Sequence, residues 1–274
     1  MLRLFFRTWK DLRLILFVPD TILIILNVLL GNLILMQTGI GNALSGLRSL
    51  PLRLESLPLI ESFISANFIS LIFFGLFFVI VNFVVGSGLL SIKYGLMKGI
   101  VNEKTLKFYE YSKEYFWKVV KLKFLVFLVM TLLVIVFGAL ATLFYFLFAD
   151  KIAYVLLILL MVLVLILLKL ALLFRYPSLF LKDKSAFMAV RNSLLFFRKK
   201  FFTVVASLLV VVLVGVFLSF GYIGITSLFN YVGRAYYYYF IIFFIVWQLL
   251  GIIINLVNNV WSDLFLFYVF KEKQ

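Results

Sequence analysis

Six apolar stretches, each long enough to cross a bilayer, decide what this chain folds into: Val18–Gln37, Asn67–Leu90, Phe124–Ala149, Ile152–Phe174, Phe202–Phe229 and Tyr239–Trp261. A hydrocarbon core of about 30 Å takes about 20 residues of helix, whereas barrel strands show short alternating segments. These runs are continuous and rich in Leu, Ile, Val and Phe. They predict an all-α integral membrane protein with six transmembrane helices, residues 1–274 forming a single polytopic domain. Of the 274 residues, 66% are hydrophobic and 14% charged, against about 45–50% and about 25% in soluble domains, so a water-soluble globule is excluded. The basic start resembles that of a signal peptide. No small-residue cleavage site follows it, and Asn27, Gly31 and Asn32 interrupt the apolar run, so it reads as an uncleaved first span.

Basic residues set the expected orientation. Of 26 Lys and Arg, 21 lie in four segments: the N-terminus, Lys93–Lys123, Arg175–Lys200 and the C-terminus. Arg48, Arg53, Lys151 and Arg234 fall on the other side, and Lys169 within a span. This bias predicts a cell-membrane protein with both termini cytoplasmic. The net charge of +15 also favours anionic headgroups on that side as partners; nucleic acid is not expected. Tyr231 and Tyr236–Tyr239 fit an aromatic belt at the outer boundary, and Trp9, Trp117 and Trp261 one at the inner boundary.

Two loops carry helical patterns. In Thr105–Lys123, Phe108, Tyr111, Tyr115, Val119 and Leu122 share one face, opposite Lys104, Lys107, Lys118 and Lys121. In Ser185–Phe201 the apolar face is Ala186, Val190, Leu194, Phe197 and Phe201, against Asn192 and Lys199. Both predict basic amphipathic helices lying in the interface just before a span. The N-terminus repeats the theme, Trp9-Lys10-Asp11-Leu12-Arg13-Leu14 against Trp117-Lys118-Val119-Val120-Lys121-Leu122. Three repeat units are therefore an expectation: 1–97, 98–181 and 182–274. The loop Thr38–Glu61, broken by Gly39, Gly41, Gly46, Pro51 and Pro58, is either an outer cap or a plain linker.

From Tyr176 to Phe202 the chain reads Tyr-Pro-Ser-Leu-Phe-Leu-Lys-Asp-Lys-Ser-Ala-Phe-Met-Ala-Val-Arg-Asn-Ser, then a basic-aromatic stretch leading into a span. This resembles the six-helix membrane domain attached to some bacterial glycerophosphodiester phosphodiesterases, and its stand-alone relatives. The matching positions are Pro177, Ala189 and Ser193. The resemblance implies a fold and a membrane location. It does not carry over phosphodiesterase chemistry, because the soluble catalytic domain is missing and the chain has no histidine.

Polar residues inside spans are costly and mark candidate sites. In the sixth span Gln248, Gly251, Asn255, Asn258, Asn259 and Ser262 fall within about 100° of arc, with Asp263 beside them. The first span adds Asp20, Asn27 and Gly31; the second adds Gly75, Asn82 and Gly86. Asp20, Lys169 and Asp263 share one depth, near the basic end. The vestibule candidates are therefore Asp20, Asn27, Asn82, Lys169, Asn255, Asn258, Asn259 and Asp263. Each has a structural alternative: snorkelling for Lys169, helix capping for Asp20, and interhelical hydrogen bonding for the asparagines.

Catalysis is not expected. Without Cys or His the chain has no usual zinc site, haem ligand or nucleophile–His pair, and no phosphate loop or metal-spaced carboxylate cluster occurs. The expected function is non-catalytic, without metal or cofactor: a lipid-interacting protein or the membrane subunit of a larger assembly. Lys118, Lys121, Arg198, Lys199 and Lys200 are the expected lipid or partner contacts, the partner being a protein or a second copy. The alternative is a small transporter or channel using the inward-facing vestibule.

Overall fold

The computed structural model describes residues 1–37, 57–104, 108–148, 151–182, 184–235 and 240–273. Among them there is no strand, and six helices are long and apolar enough to cross a membrane. The protein is an all-α polytopic membrane protein. In chain order the helices are α1 (Leu2–Lys10), a 3-10 turn (Leu14–Phe17), α2 (Val18–Gln37), α3 (Leu57–Val101), α4 (Phe108–Phe148), α5 (Lys151–Ala171), α6 (Arg175–Leu181), α7 (Ala186–Lys199), α8 (Phe201–Ala235) and α9 (Phe240–Lys273). Of the outer loop, 38–56 lie outside the described residues, and 57–61 belong to α3. Residues 105–107, 236–239 and the side chain of Tyr231 also lie outside them.

The chain forms two compact units, one of Met1–Phe17 with Ser91–Gln274 and one of Val18–Leu90. In the smaller unit, Pro19 occupies the first turn of α2, where its missing N–H costs nothing. Asp20 follows it, at the positive end of the helix dipole. Leu29 and Met36 of α2, and Ile69 and Phe73 of α3, are exposed, as suits side chains that meet lipid tails.

The larger unit concentrates its core at one end. In α9 the run Leu264–Phe270 is buried without interruption, so the helix is enclosed on every side there. Also buried in this unit are Leu4 of α1, Leu16, Leu96, Met97 and Val101 of α3, and Tyr115, Val119 and Leu122 of α4. Phe174, Phe180 of α6, and Ala189 and Phe196 of α7 complete this hub. Ring pairs stitch it together: Tyr94 and Phe180 on Phe267, and Phe174 and Phe196 on Phe270. By contrast, the apolar windows of the first five spans are at most 11% buried, and that of α9 is 39% buried. The helices are also longer than a bilayer needs. α9 has 34 residues and α4 has 41, about 50 and 60 Å at 1.5 Å per residue, against a core of about 30 Å. Part of each must therefore extend beyond the hydrocarbon.

Three expectations need correction. Residues 108–123 form no separate interfacial helix; they are the first four turns of α4, because nothing between Lys123 and Phe124 breaks the helix. The second amphipathic segment is a separate helix, α7, started by Ser185 Oγ accepting from Met188 N (3.4 Å). Its buried face is Ala186, Ala189, Ser193 and Phe196, whereas Leu194 and Phe201 are exposed. Serine sits on the inner face because its Oγ donates to the Ala171 carbonyl, 2.7 Å away at the end of α5. Trp261 is no boundary anchor: it is fully buried against Phe5, Trp9 and Phe265.

Where α3 enters the hub, a Cβ on Gly95 would collide with the Tyr111 side chain, whereas one on Gly75 would meet nothing within 4 Å. Gly95→Ala is expected to lower the thermal midpoint in detergent, at a cost of about 1–3 kcal/mol or more. Gly75→Ala is expected to leave it unchanged or raise it. Equal midpoints for the two variants would contradict the close approach at Gly95.

Candidate functional site

Two polar clusters interrupt the apolar hub. The first joins α3 to α9. Lys93, only 3% exposed, places Nζ 2.7 Å from Asp263 Oδ2, and the Tyr94 hydroxyl donates to the same oxygen (3.3 Å). Tyr94 is held face to face between Tyr176 (4.4 Å) and Phe267 (5.6 Å). Stacking fixes the ring, and the ring fixes the hydroxyl. A carboxylate and an ammonium removed from water are tolerable only when paired in this way.

The second cluster lies on α1. Arg7 Nη2 donates to Glu103 Oε1 (3.0 Å), Arg7 Nε is 3.7 Å from Asp11 Oδ2, and the guanidinium lies 4.9 Å from the centre of the Tyr268 ring. Tyr268 in turn donates its hydroxyl to Asp11. Burial alone would lower the Arg7 pKa; Tyr268, Asp11 and Glu103 outweigh it and hold the value above its ordinary level. Beside this network opens a cleft of about 640 Å³, walled by Arg3, Arg7, Lys10, Arg13 and Lys104 against Asp11 and Glu103. Five cations face two carboxylates, a surplus of three. Arg3, Lys10, Arg13 and Lys104 take part in no ion pair among the described residues.

Glu103 holds its place at a backbone cost. Its φ of 56° is left-handed, at the position after the helix end where glycine is usual. Glu103 N donates to the Ile100 carbonyl (3.1 Å) and Lys104 N to that of Gly99 (2.9 Å), the paired bonds of a Schellman ending. Lys271 Nζ donates to the neighbouring Val101 carbonyl (2.6 Å), so α9 finishes the cap of α3.

The vestibule candidates have varied surroundings. In the smaller unit Asp20 is half-buried, Asn82 Nδ2 donates to the Phe78 carbonyl of its own helix (3.2 Å), and Asn27 Oδ1 is shielded with no hydrogen-bond partner among the described residues. In the larger unit Lys169, Asn255 and Asn259 are exposed. Asn258 faces α8, its Nδ2 3.2 Å from where a Cβ on Gly215 would stand, and its Oδ1 is shielded without a partner. Gly251 also faces α8, at Tyr222. The asparagine arc of α9 thus has one edge against α8 and another exposed. Asp263 is not a lone charge, since it is paired with Lys93, a residue the sequence places among loop cations. Of the expected basic contacts, Lys121, Arg198, Lys199 and Lys200 are exposed, and Lys118 Nζ lies 4.7 Å from the centre of the Tyr115 ring.

Sequence reasoning misses the α1 cleft, because Lys104 belongs with the 105–123 pattern and Glu103 lies 96 residues from Arg7. The available signal was the unusual density of Arg and Lys on one face of α1. No group of three or more metal-ligating side chains occurs among the described residues. No family model, curated protein or solved structure matches the chain.

Replacing Asp263 with Asn removes the carboxylate 2.7 Å from the buried Lys93 ammonium and is expected to cost about 3 kcal/mol of stability, measured as the drop in unfolding free energy in mixed micelles. Lys93→Met combined with Asp263→Leu is expected to recover most of it. A double variant as unstable as the single one would show that the pair is not the interaction at stake.

Proposed function

We propose that the protein is a non-catalytic component of the cell membrane that engages anionic lipid headgroups on its cytoplasmic side, alone or as the membrane subunit of a larger assembly. The observation that carries this reading is the α1 cleft, with its surplus of three positive charges. The excess of cations in the termini and in Lys93–Lys123 and Arg175–Lys200, which lead into the third and fifth spans, argues for the same side. Lys121, Arg198, Lys199 and Lys200 would add a looser basic rim.

The test is lipid retention. Purified protein is exchanged into mixed micelles holding equal amounts of phosphatidylglycerol and phosphatidylcholine, and the lipids kept per protein are counted by mass spectrometry. Enrichment of phosphatidylglycerol is expected, falling as salt rises. Equal retention of the two lipids at low salt would end the proposal.

A second reading, a small transporter, rests on one observation: the amide oxygens of Asn27 and Asn258 are shielded without a partner among the described residues, an arrangement that costs about 1–3 kcal/mol each unless it is used. On that reading, Asn258→Leu abolishes ion flux through proteoliposomes that the wild type supports. Sealed wild-type vesicles across a panel of ions and pH values would remove it.

A further inference from the structure

We infer that the basic cleft and the apolar groove on the far side of α1 are two halves of one phospholipid site, the headgroup phosphate in the cleft and an acyl chain in the groove, with Glu103 as the internal anion that the headgroup displaces. This rests on the lipid-binding reading above and gives it a ligand and a trigger.

The argument starts from the three faces of α1. Leu4 and Thr8 are buried in the hub. Arg3, Arg7 and Lys10 turn to the cleft. Phe5 and Trp9 turn to a groove of about 700 Å³ whose other wall is α8 between Leu213 and Phe220. Every side chain lining that groove is hydrocarbon or aromatic except for the indole N–H of Trp9, and Phe217 and Phe220 stand 78% and 69% exposed along it. Residues 213–220 cover about 10 Å of helix, room for a substantial length of an acyl chain. A free phosphate would account for the cleft and leave the groove unexplained. A chain without a charged head would account for the groove alone. A phospholipid, the anionic amphiphile a bilayer supplies, has two parts that match both.

Glu103 supplies the trigger. Its side chain is 78% exposed, so no packing holds it, and its backbone adopts a left-handed conformation that glycine would adopt with less strain. What it contributes is a carboxylate on Arg7. An exposed pair of this kind is weak. A phosphate bridging Arg7 with the unpaired Arg3, Lys10 and Lys104 makes more and stronger charge-assisted hydrogen bonds. The headgroup therefore enters by taking Arg7 from Glu103, and the empty site is kept from binding stray anions by the same residue.

Trp9 reports on the groove directly. The fluorescence difference between wild type and Trp9→Phe, in detergent, isolates its signal while acyl-dibrominated phospholipid is titrated in. Dibrominated phosphatidylglycerol is expected to quench that signal at a concentration at least about tenfold below dibrominated phosphatidylcholine. Arg3→Gln/Lys10→Gln/Lys104→Gln is expected to remove the difference between the two lipids. Glu103→Gln is expected to tighten phosphatidylglycerol binding by up to about fivefold, the most that an exposed ion pair holds back. Because Glu103 is exposed, that variant keeps the test meaningful even where the triple variant fails to fold.

If phosphatidylglycerol is retained over phosphatidylcholine by mass spectrometry while the Trp9 signal stays unquenched, the composite site is wrong and the general lipid reading stands. Unchanged affinity in Glu103→Gln overturns the displacement. Glycerol 3-phosphate that competes as strongly as the whole lipid overturns the groove's part in it. Equal retention and equal quenching by both lipids overturn both readings together.

Discussion

The enclosure of one short stretch of α9 is the interaction on which the larger unit depends. In lipid, apolar helices gain little from leaving hydrocarbon for one another, and the spans of this protein accordingly leave most of their side chains exposed. The hydrophobic effect operates only where water would otherwise reach apolar surface. Residues 264–270 of α9 meet Tyr94 of α3, Phe174, Phe180 of α6 and Phe196 of α7 through ring contacts, and the end of α1 through Arg7 and Asp11. Seven consecutive buried positions leave no face of that helix free. The fold of this unit thus joins a soluble-type core at the end of its membrane helices to a seam between α8 and α9, where Asn258 meets Gly215 and Gly251 meets Tyr222.

Much of this was legible in the sequence, and the parts that were not share a physical cause. Hydropathy locates the centre of every span, because transfer to hydrocarbon is additive along a helix. It ends the sixth span at Trp261, where Asp263 follows, since a charge is scored as though it faced the solvent alone. Asp263 has Lys93, and α9 runs on to Lys273. The same limit moved the inner face of α7 by a residue: Ser193 counts as polar until its hydroxyl finds the Ala171 carbonyl. Trp261 was assigned to a boundary by residue type, and only the partners Phe5, Trp9 and Phe265 show that it is core. What is missing in each case is a partner distant in sequence.

The candidate site follows the same division. The density of cations in the N-terminal segment is plain in the sequence, and so is a preference for anionic surroundings. The cleft itself is a product of α3 ending where it does, with Glu103 turned into the left-handed region and Lys104 carried toward α1. α1 then serves three environments at once, since its residues divide among core, charge and apolar groove. Helices of nine residues are marginal alone; this one is held by Trp261, Tyr268 and the hub face beneath Leu4 and Thr8.

The position of the hub's central strut in the chain has a bearing on biogenesis. Everything that packs on residues 264–270 of α9 precedes it in the order of synthesis. Each earlier span must therefore enter the bilayer on its own hydropathy, with no core yet present to hold it. The strong apolarity of those spans suits that sequence of events. Insertion and packing become separate stages, and the second waits for the end of α9, which closes the unit like a keystone set last.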